Sequence, residues 1–463
     1  MRRAYICFAT FALSFRVTAA SGQSGNPAQP VPFPAPLTEN DPMLDPIAAA
    51  PHMVAGWEQA LAQLRARSTD LRIALDEVER SEGQWREALA ASLPTVTGTG
   101  NVTANLLRNE LTFCNPLTGV CTTATLPDAY TYGAAISLNQ PLFAPRAWHT
   151  ARTANLATEV ARLSAEDQKR LLTLALANAV VAVVTAERIS EINRVGLRAA
   201  LDRAALARRR LTLGAGNALD TVRADQDVAV ARAAVVTGDE SLRQARETLG
   251  LALGSTEPWG VPRDINLNGV EASARASCDR AATLEERADI AAARGTAAVA
   301  QRNVDDVWLQ FSPTVNLVST YSATSTQLSN GLHQAWTIQG VLTVPLFDGG
   351  FRYGALRETR AQADAAGQRL ESARRAATVQ IAQARRAIDV ADESRRVAER
   401  ARDLARETER LARVAFQAGT GTSLDLIESG RRLREAESQL ALQEFGLVRA
   451  RIGALLALSR CHW

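Results

Sequence analysis

What most constrains this chain is a long-range internal repeat that encloses very long helical stretches. SLPTV at 92–96 returns as FSPTV at 311–315, NQPLF at 139–143 as TVPLF at 343–347, and LGAGNALD at 213–220 as AGTGTSLD at 418–425. The shifts, from Pro94 to Pro313, Pro141 to Pro345 and Asp220 to Asp425, are 219, 204 and 205 residues. A displacement that holds over most of each half marks a duplication. Its fall from 219 to 204 leaves 15 extra residues in the first half, between Pro94 and Pro141.

Each half reads in the same order. A helix-like segment (57–91, then 281–309) is followed by two strand-like segments. A very long Ala/Arg/Leu helix comes next (146–212, then 350–417), then a glycine turn and a further helix (218–252, then 423–458). The first repeat therefore spans 57–253 and the second 281–458, with a Gly/Pro-bearing linker at 254–280 and a tail at 459–463. At 1.5 Å per residue the long helices reach roughly 100 Å and the shorter ones about 45–55 Å. Two short helices end to end match one long one. The arithmetic fits antiparallel coiled-coil hairpins tipped at 213–220 and 418–425. Helices of this length suit a protein that bridges a gap, although a plain coiled-coil rod shares the property.

The strand-like segments argue against a plain rod. They are expected at about 94–108, 129–141, 313–326 and 333–346. Thr95, Thr97, Thr99, Asn101, Thr103 and Asn105 alternate with Val96, Gly98, Gly100, Val102, Ala104 and Leu106. Trp336, Ile338, Gly340, Leu342 and Val344 likewise oppose Thr337, Gln339 and Thr343. Uncharged polar residues on one parity and apolar ones on the other suit a membrane β-barrel strand, for which about ten tilted residues suffice. A half-buried soluble sheet shares the alternation. Lack of charge, with the export signal described next, favours the membrane. Four strands cannot span alone, because an open edge cannot face lipid. Three copies would supply a closed barrel of about twelve strands.

Residues 1–20 resemble a cleaved secretory signal, with Arg2 and Arg3 before an apolar run and Ala19 and Ala20 at its end. The whole chain carries 52 basic and 49 acidic residues; Arg2, Arg3 and Arg16 account for the excess, so residues 21–463 are neutral overall. This balance excludes a strongly basic nucleic-acid binder. No later apolar run of membrane-helix length is expected, nor a lipid anchor, since no cysteine directly follows the signal. Proline density across 21–56 indicates an extended surface lead-in. Once the signal is gone, four cysteines remain in an oxidising compartment. Cys114 and Cys121 bracket the turn-forming NPLTGV and are expected to pair; elimination leaves Cys278 with Cys461.

These residues together resemble the TolC family of outer-membrane channel proteins. The resemblance rests on the repeated order, on PLF followed by DGGFRYGALRETRAQADAA, on ADIAAAR at 288–294 and on GTGTSLDLIESGRRLREAE at 419–437. It implies a mainly α protein with a membrane β-barrel: a trimer whose twelve-stranded barrel continues into a long periplasmic α-helical barrel. The implied function is an exit duct for type I secretion or tripartite efflux. Its partners would be a periplasmic adaptor, an inner-membrane transporter and outer-membrane lipid, with no nucleic acid. By the same resemblance, acidic residues ring the periplasmic entrance, and Asp425 and Glu428 hold the matching positions, with Asp220 their first-half equivalent. An aspartate just after such a turn also stabilises a helix N-terminus. Some family members latch the entrance with an arginine in the turn; this chain has Gly421, so its entrance is expected to be held differently. The turns, Leu213, Gly214, Ala215 and Gly216 with Gly419, Thr420 and Gly421, are the implied adaptor contacts.

An enzyme is not expected. His52, His149, His333 and His462 are scattered, and HExxH, GxSxG and P-loop motifs are absent from the sequence. Neither a cofactor nor a metal site is expected. The competing reading is a soluble periplasmic helical adaptor or scaffold, which explains the hairpins and export but not two pairs of uncharged alternating strands.

Overall fold

The computed structural model describes residues 41–463 except 108, 127–128, 263–266 and 327–331. The signal segment and the lead-in up to residue 40 lie outside these residues. In chain order the first half comprises β1 (His52–Met53), α1 (Trp57–Arg67), α2 (Thr69–Ala90), β2 (Thr95–Ala104), β3 (Asn109–Cys114), β4 (Cys121–Leu126), β5 (Tyr130–Phe143), α3 (Pro145–Thr212) and α4 (Ala218–Ala252). A connecting stretch holds β6 (Trp259–Gly260), α5 (Leu267–Ala276) and β7 (Cys278–Arg280). The second half comprises α6 (Ala288–Leu309), β8 (Thr314–Thr324), β9 (Gln334–Thr343), α7 (Phe351–Gln417), α8 (Ser423–Leu456) and β10 (Ser459–Cys461).

Helices dominate because alanine and arginine are strong helix formers and the long segments lack internal proline. With 68 and 67 residues, α3 and α7 each run roughly 100 Å. The segment expected as one helix at 57–91 is two. Ser68 leaves helical geometry and its hydroxyl accepts a hydrogen bond from the Leu71 amide at 3.2 Å, which ends α1 and caps α2.

One four-stranded antiparallel sheet, ordered β2-β5-β8-β9, crosses between the halves. Its central pairing runs from Gly133 opposite Thr324 to Phe143 opposite Val315. The register slips between Pro141 and Phe143, where proline has no amide hydrogen to give to the ladder. None of β2, β5, β8 or β9 carries an Asp, Glu, Lys or Arg. The insertion in the first half forms a separate hairpin, β3 with β4, whose last pair, Cys114 and Cys121, is joined as a disulfide. At its tip the Asn115 amide donates to the Val120 carbonyl at 2.9 Å.

The core lies in the middle of the helical part. Val54, Leu61, Leu64, Leu176, Val181, Leu249, Leu253, Ile452 and Leu456 are almost wholly buried together. Contrary to expectation, α3 does contain a stretch long and apolar enough to cross a membrane. Its Leu176, Ala177, Val180, Val181 and Val183 instead fill this core, which explains their apolarity without a bilayer. A second cluster, built on Leu197, Leu201, Val228 and Val235, continues along α3 and α4.

The described residues of 254–280, the stretch expected as a linker, are folded into the core. Val261 and Ala274 are fully buried, β6 pairs with β1, and β7 pairs with β10. Its apolar residues, hidden among glycines and prolines, supply the reason. The pairing of β7 and β10 brings Cys278 opposite Cys461, and the two are joined. The segment from Asp41 to Met53 is strapped along the helices. The Asp41 carboxylate takes two hydrogen bonds from Arg232 at 3.0 and 2.9 Å, while Arg194 and Arg246 donate to the carbonyls of Asp45 and Ala48. The Met43 amide at the start of a helical turn, then Arg232, holds the Asp41 carboxyl below its usual range. Replacing Cys278 and Cys461 by alanine is expected to lower the stability of the helical part by about 2–5 kcal/mol. An earlier loss of helical circular dichroism in guanidinium would register it.

Candidate functional site

Both long hairpins turn at the same end of the molecule, and the turns are built alike. After α3, Gly214 adopts φ +71°, and the Ala215 amide donates to the Arg210 carbonyl at 2.9 Å. After α7, Gly419 adopts φ +77°, and the Thr420 amide donates to the Ala415 carbonyl at 3.0 Å. A left-handed residue with such a bond is the standard way to end a helix, and glycine meets no Cβ penalty there. Gly421 answers to a different constraint. A Cβ at this position would lie 3.0 Å from the Ala415 methyl and 3.0 Å from the Phe416 amide nitrogen, so any side chain here, arginine included, requires these neighbours to give by a few tenths of an ångström.

Helix starts follow at once. The Asn217 side chain accepts from the Leu219 amide at 3.1 Å, opening α4. Thr422 and Asp425 form a reciprocal capping box that opens α8: the Asp425 amide donates to the Thr422 hydroxyl at 3.1 Å, and the Thr422 amide donates to Asp425 Oδ2 at 3.3 Å. The two turns touch. Ser423 donates to Asp220 Oδ1 at 2.7 Å, and the Arg210 guanidinium sits 4.1 Å from the centre of the Phe416 ring while donating to the Phe416 carbonyl at 3.3 Å. Leu213, Gly214, Ala215, Gly419 and Thr420 are thus brought to one exposed end, and Gly216 and Gly421 are half-buried beside them.

The three expected carboxylates also gather there, but with work to do inside the chain. Asp425 is engaged by its capping box and Asp220 by Ser423. Glu428 accepts from Arg431 at 3.0 and 2.7 Å and from Arg432 at 2.8 Å. Those two arginines pull its carboxyl from 4.5 down to about 2. Arg431 also pairs with Glu435. Asp425, Glu428 and Glu435 against Arg431 and Arg432 leave a small negative excess on this face. The arginines were readable beforehand: E-x-x-R-R puts them three and four residues after Glu428, on one helix face.

Sequence comparison matches the outer membrane efflux protein family model at residues 60–255 and 281–456, most of the chain. The chain belongs to the outer membrane efflux protein family. That places this efflux protein in the outer membrane of a Gram-negative cell, among transport proteins and not among enzymes, and sets the soluble-adaptor reading aside. It is similar to outer membrane protein OprJ of Pseudomonas aeruginosa, 26% identical over 231 residues, 49% of this chain and 48% of that protein. The match therefore spans about half of that relative. Among solved structures, CusC superposes with a TM-score of 0.74 at 19% identity, covering 91% of this chain and 98% of that one. VceC of Vibrio cholerae gives 0.71 at 18% identity over 87% of this chain and 95% of its own. The open state of MtrE from Neisseria gonorrhoeae gives 0.70 at 19% identity, over 87% and 88%. These likenesses establish the efflux protein's fold.

A depressed carboxylate stabilises the folded chain above its unfolded value, and the contribution disappears as pH falls through the folded value. For Glu428 that loss is expected as pH falls below 4.5 toward about 2. Carboxyl ¹³C difference spectra against Glu428→Gln should show the group still ionised at pH 4, and Arg431→Gln should move its midpoint upward.

Proposed function

We propose that three copies of this efflux protein form a duct from the periplasm to the cell exterior. The observation that carries this reading is the sheet. Its β2 and β9 edges lack further partners among the described residues, and its strands are uncharged. Val96, Ile136, Trp336 and Leu342 are 67%, 57%, 72% and 64% exposed in the single chain. Such a sheet is unsuited to water and, with open edges, equally unsuited to lipid. Joining β9 of one copy to β2 of the next satisfies both edges, and three copies give a closed barrel of about twelve strands. The repeated order of elements in the two halves supports the duplication read from the sequence. Helices α3, α4, α7 and α8, opposite the sheet, form the periplasmic tube, and their turns are the surface that meets an adaptor bound to an inner-membrane transporter. The family's efflux character favours small toxic compounds over a secreted protein as the cargo.

Asp425 and Glu428, repeated three times, would line a constriction at the tips. Rings of carboxylates favour cations. Since Arg431 and Arg432 offset much of that charge, the selectivity is expected to be modest. Asp425→Ala with Glu428→Ala should shift the reversal potential toward zero in planar bilayers under a salt gradient; an unchanged potential removes both residues from the role. The duct itself is tested by fractionation: the protein should resist carbonate extraction and migrate as a trimer, and recovery as a soluble monomer would overturn the reading.

A further inference from the structure

The uncharged sheet has two unlike faces. Ile136 on β5 stands opposite Tyr321 on β8, which stands opposite Trp336 on β9. Residues paired across strands share a face and alternate along each strand, so Tyr132, Ile136, Tyr321, Trp336 and Leu342 lie on one side. The other side carries hydroxyls, as where Ser137 and Thr320 bond at 3.3 Å. The bulge at Pro141–Phe143 shapes this division. Its extra residue brings Phe143 opposite Val315, and so onto the apolar face, where strict alternation would have turned it to the hydroxyl side. Phe143 then meets Trp148, in the first turn of α3, edge-on at 5.9 Å.

Tyr132 and Phe143 therefore stand at the two ends of the apolar face on β5. They are eleven residues apart, about 36 Å of strand. A tilt of about 40° projects that length to about 28 Å. The hydrocarbon layer of a bilayer is about 30 Å thick. With Tyr132 at one limit of that layer, Phe143 stands at the other, and the helix ends just beyond it fall among the headgroups.

Those helix ends are aromatic and basic. Trp308, near the end of α6, lies 5.7 Å from Phe311, which lies 5.6 Å from Tyr353 in the first turn of α7. Trp308 and Tyr353 remain 49% and 67% exposed. Arg360, two turns after Tyr353 on the same face of α7, stands over the Trp308 ring at 5.8 Å. Arg357 is exposed one turn after Tyr353. Neither arginine pairs with a carboxylate among the described residues, and the exposed Asp305 and Asp364 lie a turn further from the sheet. The N-terminus of α7 is its sheet end, and helical side chains lean toward the N-terminus, so both guanidiniums reach back toward the sheet.

We propose that Arg357 and Arg360, backed by Trp308 and Tyr353, hold the phosphate of a phospholipid in the periplasmic leaflet of the outer membrane. The bilayer then rests on the ends of α6 and α7 rather than on the strand ends. The inference rests on the duct reading above. A guanidinium fork matches a phosphate, and amphipathic rings settle at headgroup depth. A free anion would use the arginines but leave the rings exposed to water; a lipid uses both.

Trimers in detergent, loaded with phosphatidylglycerol, test the site by native mass spectrometry. Arg357→Gln and Arg360→Gln should each weaken lipid retention roughly fivefold, the worth of one basic residue at an anionic membrane surface. Arg385→Gln with Arg386→Gln, which removes two exposed charges from α7 about 40 Å further from the sheet, should change nothing. Diacylglycerol, which lacks the phosphate, should bind wild type no better than the variants. Displacement of the lipid by inorganic phosphate would identify a free-anion site and overturn the proposal. Depth is read separately in vesicles from the fluorescence lost in Trp308→Phe. A nitroxide at the lipid headgroup should quench it more than one at the acyl terminus; the reverse order, or no quenching, overturns the site. Wild-type protein that neither forms trimers nor enters vesicles overturns the duct reading. Wild-type trimers that insert and conduct but hold lipid no better than the arginine variants defeat the headgroup site alone.

Discussion

Pairing of β5 with β8 joins the two halves of the chain into one sheet, and the placement of every long helix depends on it. Each strand of that pair leads into, or out of, a helix: β5 runs directly into α3, and β8 is fed by α6. Registering the strands therefore sets the helices side by side along their lengths. The bulge at Pro141–Phe143 sits just before α3 begins at Pro145, where the chain must leave the sheet direction. A proline at the end of a ladder and another at a helix start are both tolerated for the same reason, the absence of an amide hydrogen that would otherwise need a partner.

The helical part carries the charge that the sheet lacks. Ion pairs at spacings of three and four residues recur along α7, as in Glu371–Arg375, Asp392–Arg396 and Glu407–Arg410. Exposed pairs of this sort stabilise individually by little. Their value here lies in supporting a helix of 67 residues that buries few of its own side chains. Apolar burial is instead concentrated midway, where α1, α3, α4, α5 and α8 meet the short strands. A smaller apolar cluster, Leu197 and Leu201 with Val228 and Val235, continues along α3 and α4 toward the tips.

Much of this was legible in the sequence. Repeated turn motifs gave the hairpins, and α4 occupies 218–252, directly after its glycine turn. Period-two alternation located the sheet strands to within a few residues. Three features were not legible, each for a physical reason. Ser68 breaks a helix that propensity alone would continue, because one capping hydroxyl decides it. The connecting stretch reads as a linker because its glycines and prolines mask Val261, Val270 and Ala274, whose burial depends on helices distant in sequence. At the candidate site, the turn and its carboxylates were apparent from GTGTSLDLIE, and E-x-x-R-R carries the signal for the arginines, but the contacts that join the two turns, Ser423 with Asp220 and Arg210 with Phe416, need helices distant in sequence to be brought together.

The disulfide between Cys278 and Cys461 spans 183 residues and so encloses α6, β8, β9, α7 and α8 in a single covalent ring. A protease that cuts an exposed loop within that ring, such as the turn at Gly419 and Thr420, opens the chain without releasing a fragment. The severed pieces stay tethered through β7 and β10 until a reductant reaches two cysteines that are only 2% and 3% exposed. Damage at the far tip is thus kept from becoming loss of the hairpin.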